Sequence, residues 1–206
     1  MQTETVTAPK CETFSVNWFE QHIPVWEQLM ELLPGRDKFL ELGSFEGASA
    51  CWMLRHMLSG SGSLYCIDTW EGSPEFINSI AKDVITGAFA RFKENVAIAK
   101  QESQHVLTFR SNTVSGMAEL ISGGHAGTFD FVYVDAGHEA HHTLTDAVMA
   151  WPLLKTGGVL VFDDYLWSLN ADLLNRPKIA IDAFTSIFNS QIKTLVVGHQ
   201  YAIQKL

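Results

Sequence analysis

The chain of 206 residues is poor in cysteine, in positive charge and in long apolar runs. Its three cysteines, Cys11, Cys51 and Cys66, are odd in number, and two of them fall in apolar segments. This argues against a disulfide framework and for reduced, buried thiols, so a cytoplasmic location is the expectation. Lys and Arg number 14 against 23 Asp and Glu, for a net charge of −9. With no Lys/Arg cluster to neutralise phosphates, a nucleic acid is not the expected partner. The longest apolar runs, such as Gly157 to Phe162, are strand-sized and far short of the roughly 20 residues of a membrane helix. The start, MQTETVTAPK, has no apolar stretch after a basic segment, so neither membrane insertion nor a secretory signal is expected.

Hydrophobic residues make up 47% and charged residues 18%, a balance that lets one domain bury a substantial core. There is no internal repeat, only a polar tail of about ten residues. The expected partition is a tail with helices over 1–37, serving as cap, lid or dimer contact, followed by one domain over 38–206. Trp18, Phe19, Ile23, Val25, Trp26, Leu29, Met30 and Leu33 recur at helical spacing up to Pro34-Gly35, which predicts one helix or two bent near Pro24. Strand candidates are KFLEL (38–42), SLYCI (63–67), HVLTF (105–109), FDFVYV (129–134) and GGVLVF (157–162). Helical patterns separate them: Ala48 to Leu58, a stretch carrying Ile80, Val84, Ile85, Phe89 and Phe92, Val114 to Ile121, and a segment reaching Met149. Alternation of this kind, with continuous apolar strands, predicts a parallel α/β sheet covered by helices on both faces. After a helix over about 178–188, IKTLVV (192–197) and YAIQKL (201–206) are separated only by Gly198-His199-Gln200. That is hairpin length, so one strand must run antiparallel in a sheet of seven.

Ligands of open α/β sheets bind beyond the carboxyl ends of the strands, where strand order reverses. The residues at those ends here are Glu41 and Gly43, then Asp68, then Ser111-Asn112, then Asp135, then Asp163-Asp164. A single Asp in such a place is often a helix cap or a turn residue. Recurrence at four strand ends favours a functional set, and carboxylates brought together need a cation, a proton or hydrogen-bond donors. The loop ELGSFEG, Glu41 to Gly47, has small residues that let a ligand approach backbone amides at a helix N-terminus. It lacks the G-x-G-x-x-G dinucleotide fingerprint, since position 45 is Phe.

E-L-G-S-F-E-G, I-D-T-W-E-G at 67–72, Y-V-D-A-G-H at 133–138 with Asp146 beyond it, and L-L-K-T-G-G-V-L-V-F-D-D-Y at 153–165 occur in that order. Together they resemble the class I S-adenosylmethionine-dependent methyltransferases, and more narrowly the metal-dependent catechol and sugar O-methyltransferases, over about residues 38–206. The resemblance implies a Rossmann-like class I methyltransferase fold. It places Gly43, Ser44, Phe45 and Gly47 around the methionine part of S-adenosylmethionine, with Glu41 orienting the loop or meeting the ammonium. It has Asp68 accept from the ribose hydroxyls, Thr69 and Trp70 lie against ribose or adenine, and Ser111 or Asn112 address the adenine edge. Trp70 and Trp18 have rival readings as core aromatics. Ala136 and Ala140 depart from the group's usual residues, which bears on the substrate side.

The same resemblance implies that Asp135, Asp163 and Asp164 hold a divalent cation. Oxygen ligands suit Mg²⁺ or Mn²⁺ better than zinc. Such an ion would acidify a hydroxyl of a small-molecule acceptor, with His138 as the nearest base candidate, His142 the second, and Asp135 beside both. Trp18, Tyr165 and Trp167 would form an aromatic wall or lid, and exposed apolar positions near the N-terminus leave room for a homodimer. The rival functions are a metal-independent methyltransferase, a nicotinamide-dependent oxidoreductase, a non-catalytic cofactor-binding protein, and a zinc hydrolase built on the literal H-E-x-x-H of His138 to His142. The last requires both histidines on one helix face, whereas His138 follows a buried strand directly.

Overall fold

A computed structural model describes residues 11–72, 82–168 and 172–206. Seven strands form one sheet in the order β3-β2-β1-β4-β5-β7-β6. They are β1 Lys38–Leu42, β2 Ser63–Asp68, β3 His105–Arg110, β4 Phe129–Val134, β5 Leu154–Phe162, β6 Ile192–Val197 and β7 Tyr201–Lys205. All neighbouring pairs from β3 through β5 are parallel, while β7 runs antiparallel between β5 and β6. The expected single antiparallel strand is therefore β7. A three-residue turn cannot carry the chain back for a parallel crossover, so β7 must pair beside β6 in the opposite direction.

The helices are α1 Ile23–Met30, α2 Ala48–Trp52, α3 Lys82–Ala99, α4 Thr113–Ser122, α5 Ala140–Ala150 and α6 Pro177–Ile187. A 3₁₀ turn, Glu20–His22, leads into α1, and Pro24 falls in the first turn of that helix. Its missing N–H is one that a helix leaves unpaired there anyway, so α1 runs on through Pro24 without a break. Past α2 the chain continues through a π-helical turn, Met53–Met57. The polar tail, residues 1–10, and Ile80, assigned above to the stretch before β3, lie outside the described residues.

Successive strand residues point to opposite faces, and both faces are buried. Phe39, Leu64, Cys66, Phe131 and Val161 pack with Trp26, Met53 and Phe92 from α1, the π turn and α3. Leu40, Ile67, Val132, Leu160 and Phe162 pack on the other face with Met117, Ala147 and Phe184 from α4, α5 and α6. This explains why the central strands read as mostly apolar runs without polar alternation. Strand order reverses between β1 and β4, the first two elements on either side of the switch point. Among the described residues no helix is long and apolar enough to cross a membrane.

Candidate functional site

A cavity of 770 Å³ opens beyond the carboxyl ends of β1 to β5. Its wall contains Gly43, Ser44, Phe45, Asp68, Thr69, Trp70, Ser111 and Asn112 on one side, and Asp135, His138, His142, Asp163 and Asp164 on the other. Glu41 lies beneath the wall, fully buried, and Gly47 stands at the start of α2. The strand-end residues singled out in the sequence thus converge on one crevice.

On the first side the loop after β1 is pinned from both neighbouring strands. The N–H of Gly43 donates to the carbonyl of Ile67 at 2.9 Å. Gly43 has φ +84°, and a Cβ there would stand 1.9 Å from the carbonyl oxygen of Asp135. Only glycine lets β1 end so close to the end of β4. Asp68 then organises the loop: its Oδ2 accepts from the N–H of Ser44 and of Phe45, each at 2.8 Å, and its Oδ1 from the N–H of Trp70 at 2.7 Å. A carboxylate offers about four acceptor positions, so about one is left toward the cavity in this conformation.

Trp70 is buried against Phe89 and Phe92, and its Nε1–H donates to the carbonyl of Phe45 at 2.7 Å. It is at once a core aromatic and the support of Phe45. Among the described residues the non-glycine positions with positive φ are Phe45 (+45°), Trp70 (+55°) and Asp164 (+56°), and all three line this cavity. Backbone strain of this kind persists where surrounding contacts over-determine it. Thr69 accepts from the N–H of Glu71, the N–H of Ser111 donates to the carbonyl of Asp68, and Asn112 caps α4 by accepting from the N–H of Ser115.

Below the loop, Glu41 receives Ser44 Oγ–H and Ser49 Oγ–H, each at 2.5 Å, and lies 3.6 Å from Cys66 Sγ. Burial pushes its carboxyl up to about 7, partly offset by those bonds and aided by the charge of Asp68. Its geometry is that of a residue that orients the loop from beneath.

On the second side β4 and β5 are hydrogen-bonded neighbours, so Asp135, Asp163 and Asp164 present carboxylate oxygens within 4.8 Å of one another. Burial, then repulsion from Asp163, Asp164 and Glu41, holds the Asp135 carboxyl well above the usual carboxylate range. Asp163 is raised as well, by burial and by Asp164, against the pull of His22, Gln200 and Tyr133. Carboxylates crowded in this way need protons, hydrogen-bond donors or a cation, and three oxygen donors are the kind of set that a hard divalent ion takes.

Two members of the triad are held by side chains from elsewhere in the fold. Gln200, in the β6–β7 turn, donates its Nε2–H to Asp163 Oδ1 at 2.9 Å and accepts the indole N–H of Trp26 at 2.8 Å. His138 Nε2 lies 2.7 Å from Asp164 Oδ2, and its ring stacks on Trp167 at 4.6 Å. His138 precedes α5, and its imidazole is directed at Asp164, whereas His142 is on the helix and half exposed. The two histidines therefore do not share the helix face that a zinc protease requires.

Trp18 and Trp167 line the cavity, and Trp18 packs on Phe45 at 5.6 Å. Tyr165 turns away: it is buried, and its hydroxyl donates to Asp182 and accepts from Lys178. Asp146 accepts from Thr113 Oγ at 2.5 Å, because α5 packs beside α4, and burial raises it to about 6.

His22, His199, Gln200 and Tyr133 were not picked out in the sequence. His22 Nε2 stands 3.5 Å from Asp163 Oδ1, and its ring is 5.9 Å from that of His199. Burial lowers the pKa of His22, against the opposing pull of Asp163. One signal was available: His22 interrupts the apolar helical stripe between Trp18 and Trp26. Nothing local marks the turn residues His199 and Gln200.

Residues 40–165, more than half of the chain, match the family model described as "Methyltransferase domain". A stretch of 56 residues is 30% identical to "Probable caffeoyl-CoA O-methyltransferase 3" of Dictyostelium discoideum, covering 27% of this chain and 22% of that protein. An O-methyltransferase from Bacillus cereus in complex with SAH superimposes with a TM-score of 0.57 at 18% identity, over 94% of this chain and 84% of its own. TomG, an O-methyltransferase of Streptomyces achromogenes involved in tomaymycin synthesis, in complex with SAM, does so with a TM-score of 0.57 at 20% identity, over 88% and 78%. These structural likenesses establish the fold.

Proposed function

The chain belongs to the methyltransferase-domain family, and from that premise we propose that it transfers the methyl group of S-adenosylmethionine to a hydroxyl of a small molecule, assisted by a divalent cation. The observation that carries this reading is the meeting, in one cavity, of the glycine-bearing loop held by Asp68 with the carboxylates of Asp135, Asp163 and Asp164. Named relatives and neighbours that are O-methyltransferases support the hydroxyl as acceptor. The fold does not choose the acceptor's size; the net charge of −9 and the aromatic cavity wall favour a small molecule.

Gly43 and the Ser44–Gly47 loop, which line the cavity beside Asp68, would lie against the methionine end of the donor, and the acceptor position left on Asp68 would take a ribose hydroxyl. Asp135, Asp163 and Asp164 would hold Mg²⁺ or Mn²⁺. The ion, when bound, supplies Lewis acidity that lowers the pKa of a hydroxyl, and S-adenosylmethionine supplies an electrophilic methyl for direct displacement. His138 donates to Asp164, and Gln200 donates to Asp163, so both orient a carboxylate. This makes His138 a positioning residue, since the ring nitrogen facing the site is engaged by Asp164.

Calorimetry should show binding of S-adenosylhomocysteine, and a panel of catechols and sugars should yield S-adenosylhomocysteine from S-adenosylmethionine in a reaction that EDTA stops and Mg²⁺ restores. Full turnover in EDTA removes the cation and keeps methyl transfer. A thermal shift with NADH and none with S-adenosylmethionine reverses the reading. Asp135→Ala and Asp163→Ala should lose turnover with cofactor affinity nearly unchanged; normal turnover in either takes that residue out of the reaction.

A further inference from the structure

The HEAHH segment divides at the start of α5. His138 turns in toward Asp164, whereas Glu139, His141 and His142 face the rim of the cavity and solvent. Glu139 flanks the helix N-terminus with extended backbone (φ −67°, ψ 135°), yet its side chain caps no amide. Its Oε2 stands instead 3.5 Å from Nδ1 of His141 and 3.6 Å from Nδ1 of His142. These separations lie at or beyond the limit of a hydrogen bond. The two imidazole rings are 4.0 Å apart between centroids, inclined at 44°. One donor atom from each of the three residues lies within 4.8 Å of the others.

The two separations from Glu139 are close to the edges of an ion's coordination shell, and the third is at most 4.8 Å. With Zn–N and Zn–O bonds of about 2.0–2.1 Å, neighbouring ligands of a tetrahedral ion stand about 3.3–3.4 Å apart. An octahedral magnesium shell would draw its ligands to about 3.0 Å and prefers oxygen throughout. Two imidazoles with one carboxylate are the complement of the all-oxygen triad deeper in the cavity, and imidazole suits zinc.

We propose that Glu139, His141 and His142 form a surface zinc site at the rim of the cavity, with the fourth coordination position left to water. Glu139 and His142 also lie on the cavity wall, so a bound ion narrows the entrance from that side. No peptidase chemistry follows, because Glu139 is spent as a ligand. The site stands independently of the methyl-transfer reading, and its test does not use turnover.

The test is zinc titration of the full chain against a chromophoric chelator, with excess Mg²⁺ present to occupy the oxygen triad. One zinc per chain is expected, retained in Asp163→Asn. Loss of an outer-shell partner alone weakens metal sites by about 10–100-fold, so His141→Ala/His142→Ala should weaken zinc by at least about tenfold. X-ray absorption of the zinc-loaded protein should carry imidazole scattering. All three side chains are solvent-facing, so the double variant should melt like the parent without zinc; if it does not, Glu139→Gln provides the same comparison. Equal zinc affinity in the parent and these variants, no zinc uptake by the parent, or loss of zinc in Asp163→Asn overturns the proposal.

Discussion

Replacing Glu41 with Gln should change how stability depends on pH, and the size of the change follows from the carboxyl's surroundings. Glu41 is fully buried among Ser44, Ser49 and Cys66, and its pKa rises from 4.5 to about 7. At roughly 1.36 kcal/mol per pH unit this corresponds to about 3 kcal/mol. The sign follows from proton binding: the native state holds the proton where the unfolded chain has released it. The contribution is therefore present below pH 4.5 and is lost as pH rises toward 7. Between pH 5 and pH 8 the parent should lose about 2.5 kcal/mol through this group. Gln keeps an acceptor for one serine and turns an amide N–H toward the other, whose hydroxyl oxygen can accept. Urea unfolding of parent and Glu41→Gln in EDTA, at pH 5 and at pH 8, reads the difference directly. The variant should gain about 2.5 kcal/mol relative to the parent on going from pH 5 to pH 8. The same difference at both pH values would refute the assignment of a neutral, buried Glu41.

Gly43→Ala should cost at least about 3 kcal/mol in chemical denaturation and abolish binding of S-adenosylhomocysteine, because a side chain at φ +84° meets the Asp135 carbonyl at 1.9 Å; stability within about 1 kcal/mol of the parent would show that the loop has room. Asp135→Asn removes one of the crowded carboxylates, so in EDTA its melting temperature should exceed the parent's, more at pH 8 than at pH 5, since raised carboxyls destabilise the native state as pH rises. The same variant should lose the melting-temperature increase that Mg²⁺ or Mn²⁺ gives the parent, which differential scanning calorimetry would check.

Much of the fold was legible because burial on both faces of a parallel sheet leaves an unmistakable mark. KFLEL and FDFVYV are strands end to end, 38–42 and 129–134, as their short, mostly apolar runs indicate. Strand β5 begins three residues before Gly157, at Leu154, since its first part pairs around an irregularity opposite Phe129 and Phe131 that leaves no apolar run. Gly198-His199-Gln200 was enough to mark the hairpin, for chain length alone decides whether a crossover can form.

The acidic strand ends were legible for the same reason: their position is set by where each apolar run stops, and the topology rule then gathers them. Tertiary structure decided what each of them touches. Asp68 is bound up with the amides of Ser44, Phe45 and Trp70, His138 is turned to Asp164, and Asp163 is steadied by Gln200, thirty-seven positions away. His22 reaches Asp163 across most of the chain. Local periodicity carries no information about such pairs, because they depend on which loops the assembled sheet brings face to face. The sequence by itself thus determined the strands, the burial of the central ones and the acids at four strand ends; the assembled sheet alone determined which carboxylates share a crevice and which neighbours hold them there.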